Sequence, residues 1–255
     1  MWYPAMVMAL PYSDGALREA RAQRRYLRPP RPLVFPTSLK VPETRWHFEL
    51  RTALFQMLQA AFGEYAVIGS DQFLYWEPAN PRACCSPDVM VRFGEPDAPF
   101  DSWKVWQRGA PQLAIELVSV ADASVSSWSE KLERYHHVGL AELVRFDADD
   151  HAAPLRLWDN VDGDLVERDP AAAGFARSDV LQGFWVIVRD PERGLWLRLA
   201  RDEAGRDLYL TPAEQARVER VHAENERAHA ENGRARAESK LAELEAELAR
   251  LKAER

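Results

Sequence analysis

Two short apolar runs each carry a carboxylate, and that combination limits what this chain can fold into. The first is Pro87-Asp88-Val89-Met90-Val91-Arg92-Phe93. The second is Gln112-Leu113-Ala114-Ile115-Glu116-Leu117-Val118-Ser119. Both read as buried strands: short, rich in aliphatic residues, and bounded by Pro, Gly or Ser. Asp88 sits at the mouth of the first and Glu116 inside the second. An acid in a buried strand is costly unless a cation or a hydrogen-bond donor receives it.

The segment after the second run offers such a partner. From Ser124 to Val138 the apolar residues Val125, Trp128, Leu132, Tyr135 and Val138 fall within an arc roughly 140° wide on a helix. Lys131 projects between Val138 and Tyr135, toward the apolar side, whereas Glu130, Glu133, Arg134 and His137 lie opposite. Pro-Asp is also a common turn dipeptide, and a lysine at the edge of an apolar arc often snorkels to water. Asp88, Glu116 and Lys131 are more informative as a set than singly.

The chain has 255 residues, enough for one good-sized core or two small ones. Its net charge of −7 gives no overall basic field to draw it onto nucleic acid. This argues against a passive DNA-coating protein, but leaves room for a nuclease with a local basic surface. Cys84 and Cys85 are adjacent and are the only cysteines, so neither a disulfide framework nor a zinc cluster built on cysteine is expected. The apolar start, Met1 to Pro11, lacks a basic region and is broken by prolines, which makes it a poor signal peptide. No run approaches the roughly 20 apolar residues of a membrane span. The expected location is cytoplasmic.

Taken in order, residues 1–40 read as an N-terminal arm with a short basic helix, Arg18 to Arg28. Thr44 to Phe62 reads as a strong helix, with Thr44 as N-cap and Gly63 at its end. Glu43, His47 and Glu49 lie near its start, where first-turn charge is the simpler account of each. Ala66–Ile68 and Gln72–Trp76 read as strands, and 94–109 as a connection. Leu140–Phe146 reads as a strand, and four further strand segments between Leu155 and Leu199 as sheet additions or an antiparallel flap on the same domain, here placed at 41–210. Residues 211–255 form a charged helical tail. His222–Ala228 and His229–Ala235 repeat with a period of seven, and Leu241, Leu244, Leu248 and Leu251 continue with 3-4-3 spacing in a shifted phase. Asn225 and Asn232 are expected on the seam of the first part. A weak coiled coil, and a homo-oligomer through 212–255, are the expectations for this tail.

Pro87-Asp88, Ile115-Glu116-Leu117-Val118-Ser119, Lys131, Tyr135, Gly139-Leu140, Glu142 and Asp147 together resemble the Uma-type "putative restriction endonuclease" family of the PD-(D/E)XK nuclease superfamily. The resemblance runs from about Pro42 to Asp147. It implies an α/β (α+β) restriction-endonuclease-like core of helix, three strands, helix and strand, with added β-strands and a coiled-coil-like helix. The superfamily's usual lysine follows the Glu by two residues; here Val118 stands there, and Lys131 takes the position on the following helix.

That likeness implies a metal-dependent DNA endonuclease, a hydrolase using Mg²⁺ or Mn²⁺ on phosphodiester bonds. Asp88 and Glu116 would be metal ligands with the Leu117 backbone carbonyl, Lys131 would act on the attacking water and the phosphate, and Glu43 is a candidate extra acid. Mg²⁺ takes hard oxygen donors and stabilises charge as water attacks. Two stretches depart from the family pattern: Ser119-Val120-Ala121-Asp122 replaces Ser-Pro-Ser, and Glu142-Leu143-Val144 replaces Glu-Tyr-Trp. The alternative is a catalytically inactive relative, serving as a DNA- or protein-binding or assembly module through its tail.

Overall fold

The computed structural model describes residues 44–118, 125–168 and 175–253. The basic segment Arg18–Arg28, Glu43 and Ser119–Asp122 therefore lie outside the described residues. What is described belongs to one compact unit, Glu43–Arg255.

The unit opens with α1 (Arg45–Phe62). Thr44 is in an extended conformation and its hydroxyl accepts the His47 backbone N–H, the N-cap read from the sequence. Leu50, Leu54, Met57 and Leu58, at three- and four-residue spacing, form its buried face. There follow β1 (Ala66–Gly69), β2 (Phe73–Tyr75), β3 (Cys84–Cys85), β4 (Val89–Phe93), β5 (Ser102–Lys104) and the single turn α2 (Val105–Arg108). Next come β6 (Leu113–Leu117), α3 (Val125–Val138), β7 (Glu142–Phe146), β8 (Leu155–Val161) and β9 (Asp164–Glu167). The last elements are β10 (Phe175–Ser178), β11 (Gly183–Asp190), β12 (Gly194–Ala200) and the 42-residue α4 (Pro212–Ala253).

Six strands make the central sheet, in the order β1-β4-β6-β7-β8-β9. Only β6 and β7 run parallel, and α3 is the crossover between them. With the elements of a small side sheet set apart, the core is α1-β1-β4-β6-α3-β7: helix, three strands, helix, strand. The strands at 155–167 extend this sheet. Those at 175–200 form a separate antiparallel sheet, β10-β11-β12.

Alternation along β6 divides the core in two. Leu113, Ile115 and Leu117 face α1 and the β10-β11-β12 sheet, packing with Leu50, Leu54, Trp185, Leu197 and Leu199. Ala114 faces the opposite layer, with Met90, Leu143, Tyr135 and Val138. Glu116 shares the parity of Ala114 and so points to the α3 layer. Gly139 closes α3 with φ +78, a conformation that glycine adopts without strain.

In the side sheet β3-β2-β5, with β2 and β5 parallel, β2 lies within the strand read at Gln72–Trp76, whereas β5 stands where the sequence reads a plain connection over 94–109. Its strands are two or three residues long, too short to show alternation. Trp103 holds it from inside: fully buried, its indole N–H donates to the Gly109 carbonyl at 2.8 Å, and Arg108 lies 4.1 Å over its ring.

Leu54, 1% exposed between α1 and the sheet, tests the core. Leu54→Ala should cost about 2–5 kcal/mol of unfolding free energy, read by chemical denaturation; a loss below about 1 kcal/mol would mean that α1 does not pack as described.

Candidate active site

Asp88 immediately precedes β4, and Glu116 is the fourth residue of β6. Antiparallel pairing of Val89 with Ile115 brings the two acids to neighbouring positions at one end of the sheet. Asp88 Oδ2 accepts the Leu117 backbone N–H at 2.7 Å. A carboxylate thus bridges the two strands where their ladder ends.

Glu116 is 3% exposed. Lys131 Nζ reaches its Oε2 at 2.7 Å, and the Tyr135 hydroxyl donates to its Oε1. Residues 131 and 135 are one helical turn apart and present both donors to one carboxylate. Even so, burial pushes the Glu116 carboxyl up to about 7, with the Asp88 charge adding to the rise and Lys131 opposing it. Tyr135, fully buried, is raised well above the ordinary phenol value by burial and by the charge of Glu116. Glu130, Glu133, Arg134 and His137 are exposed on the other side of α3.

Asp88 receives support from the opposite layer. His47 Nε2 of α1 lies 3.2 Å from Asp88 Oδ1. The Ser70 hydroxyl donates to the Asp88 backbone carbonyl at 2.9 Å, and Arg51 Nη1 donates to Ser70 Oγ at 3.2 Å. Asp88 therefore stands where both layers meet at the sheet end, and Glu116 only where α3 covers it.

Asp88, Glu116, Leu117 and Lys131 come together as one constellation. Two residues join it: Tyr135, which the sequence places on the same arc as Lys131, and His47, whose position near the start of α1 reads equally well as first-turn charge. Glu49 points elsewhere, pairing with Arg45 at 2.7 Å and Arg193 at 3.4 Å. Glu142 is buried but lies at the far end of β7. It accepts the Asp179 N–H at 2.9 Å and the Trp185 indole N–H at 3.4 Å, tying the central sheet to β10-β11-β12. Asp147 accepts Arg145 at 2.7 Å and the Asp149 N–H at 3.1 Å, shaping the turn after β7.

A cavity of about 490 Å³ opens beside the acids. It is lined by Trp46, His47, Val118, Asp149, His151, Arg189 and Arg193 among others, and it adjoins the site through His47 and Val118 and not through the acids or Lys131 themselves. Among the described residues, no group of three or more His, Cys, Asp and Glu side chains is arranged to hold a metal ion. Two neighbouring carboxylates are nonetheless hard oxygen donors of the kind a small divalent ion takes while keeping water ligands. No described helix is long and apolar enough to cross a membrane.

The curated proteins give no match to this chain. A solved structure described as "a putative nuclease belonging to DUF820", from Anabaena variabilis ATCC 29413, is similar at 12% identity, covering 55% of this chain and 75% of that one with a TM-score of 0.41. The model of a family described as "Uma2: Putative restriction endonuclease" matches residues 38–195, which span α1, the whole central sheet and α3. This chain belongs to the Uma2 family.

Proposed function

We propose that this chain is a divalent-cation-dependent DNA endonuclease. The observation that carries the reading is Lys131 Nζ held 2.7 Å from buried Glu116, beside Asp88 at one sheet end. Membership of a family described as "Putative restriction endonuclease" supports hydrolysis of nucleic acid, and the geometry supplies a means.

Asp88, Glu116 and the Leu117 carbonyl would hold Mg²⁺ or Mn²⁺. When bound, the ion supplies Lewis-acid stabilisation of the phosphodiester as water attacks. Lys131 orients the attacking water and offsets charge developing on the phosphate oxygens. Tyr135 fixes the rotamer of Glu116 by occupying its second oxygen. His47 of α1 and the Leu117 N–H of the neighbouring strand β6 hold Asp88. The basic groups along the cavity wall receive the DNA backbone locally, which the net charge of −7 does not do globally.

Supercoiled DNA with Mg²⁺ or Mn²⁺ should be nicked or linearised by the native protein. Asp88→Ala and Lys131→Ala should each lose at least about 100-fold in rate, with native circular dichroism. Cleavage persisting in both variants would refute the assignment. The lack of a third clustered ligand among the described residues favours one other reading, a non-catalytic DNA-binding relative. It predicts that the native protein binds DNA but never cuts it with either ion.

The proton on Glu116 gives a second test. Its folded value of about 7 stands above the ordinary carboxyl value of 4.5. Between those values the folded chain keeps a proton that the unfolded chain releases, so stability falls as pH rises through this window. In chelator, native protein should lose stability relative to Glu116→Gln from pH 5 to pH 7.5, on the order of 3 kcal/mol at most. Thermal unfolding at both pH values reads the difference; a constant gap would mean that Glu116 ionises as an ordinary surface acid.

A further inference from the structure

α4 is a single unbroken helix of 42 residues with no buried residue, about 63 Å long at 1.5 Å per residue. Its start is fixed to the body. Thr211 and Glu214 cap each other, with Thr211 N–H to Glu214 at 2.8 Å and Glu214 N–H to the Thr211 hydroxyl at 3.3 Å. Arg198 grips Glu214 through two bonds of 2.7 and 2.9 Å. Leu241, Leu244, Leu248 and Leu251 lie far beyond this anchor and are 54–58% exposed.

Because the helix is unbroken, these leucines set one phase for its whole length. Taking Leu241 and Leu248 as a, and Leu244 and Leu251 as d, Lys240 and Glu247 take position g, and Glu245 and Lys252 take e. Carried backward, the same phase puts Ala223, Ala230 and Ala237 at d and Arg220, Arg227 and Arg234 at a. Asn225 and Asn232 then fall on the outer face, not on the seam expected from the heptad-like repeat alone.

We propose that residues 237–253 form a parallel, in-register two-stranded coiled coil with a second copy of this chain. In a parallel pair, each g residue meets the partner's e residue of the next heptad. Lys240 then faces the partner's Glu245, and Glu247 faces the partner's Lys252. By symmetry this makes four contacts, all attractive. An antiparallel pairing of the same leucines centres near residue 246, setting Glu245 against the partner's Glu245 and Glu247 against the partner's Glu247, with, inside 237–253, only Lys252 against the partner's Glu238 attractive. Charge selects the parallel form.

The same rule limits the zipper. Upstream, Glu226 would face the partner's Glu231, and arginines would meet arginines at a. The two helices therefore part before residue 237, roughly 40 Å from the anchor, and the two bodies are tethered without being pressed together. Whether DNA is cut does not enter this inference.

Sedimentation of the full chain measures it. Native protein at tens of micromolar should be dimeric, and L244E/L248E monomeric, with dissociation raised at least about 100-fold and circular dichroism of the body unchanged. Under mild oxidation, Leu248→Cys should yield a disulfide between the two copies of residue 248, located by peptide mass mapping. A native monomer at these concentrations, a dimer that survives L244E/L248E, or absence of the symmetric disulfide from dimeric Leu248→Cys would each overturn the proposal.

Discussion

A carboxylate buried near the end of an inner strand is the constraint on which the rest of this molecule depends. Glu116 is almost fully removed from water, and isolated burial of its charge would cost several kcal/mol. Lys131 and Tyr135 reduce that cost by giving each oxygen a donor. They do not remove it, since the carboxyl still holds its proton up to about pH 7. A group left in that balance responds strongly to any further positive charge, which is a property expected of a site and unhelpful in a mere core.

The layers follow from this placement. The chain covers one face of the sheet with aliphatic residues of α1 and a second antiparallel sheet. The other face it covers with α3, whose apolar arc is interrupted by one lysine. Asp88 is reached from both sides, by His47 from α1 and by the end of β6. The site is therefore held by elements distant in sequence, and each has its own packing reason to be where it is. Rigid elements of this kind keep polar groups in place better than loops do.

Much of this was legible in the residues. Strong helical periodicity marks Arg45–Phe62, apolar runs mark β4 and β6, and the position of Lys131 on the inner arc of α3 follows from 100° per residue. Of the small side sheet only β2 was legible; β3 and β5 were not, because strands of two or three residues carry no periodic signal. Nor was the role of His47: a histidine in a first helical turn has the same local signature whether it faces water or an acid brought from 41 residues away. Glu142 shows the converse. It belongs to the motif that resembles the family, yet its partners are backbone amides and an indole that join two sheets.

The central claim is that Asp88 and Glu116 close around one divalent ion, with Lys131 beside it. Anomalous diffraction from crystals soaked in Mn²⁺ tests this most directly. The account predicts one strong peak within coordination distance of carboxylate oxygens of both residues, with the Lys131 ammonium near the ion's water ligands. A peak elsewhere, or none between the two acids at saturating Mn²⁺, would contradict it.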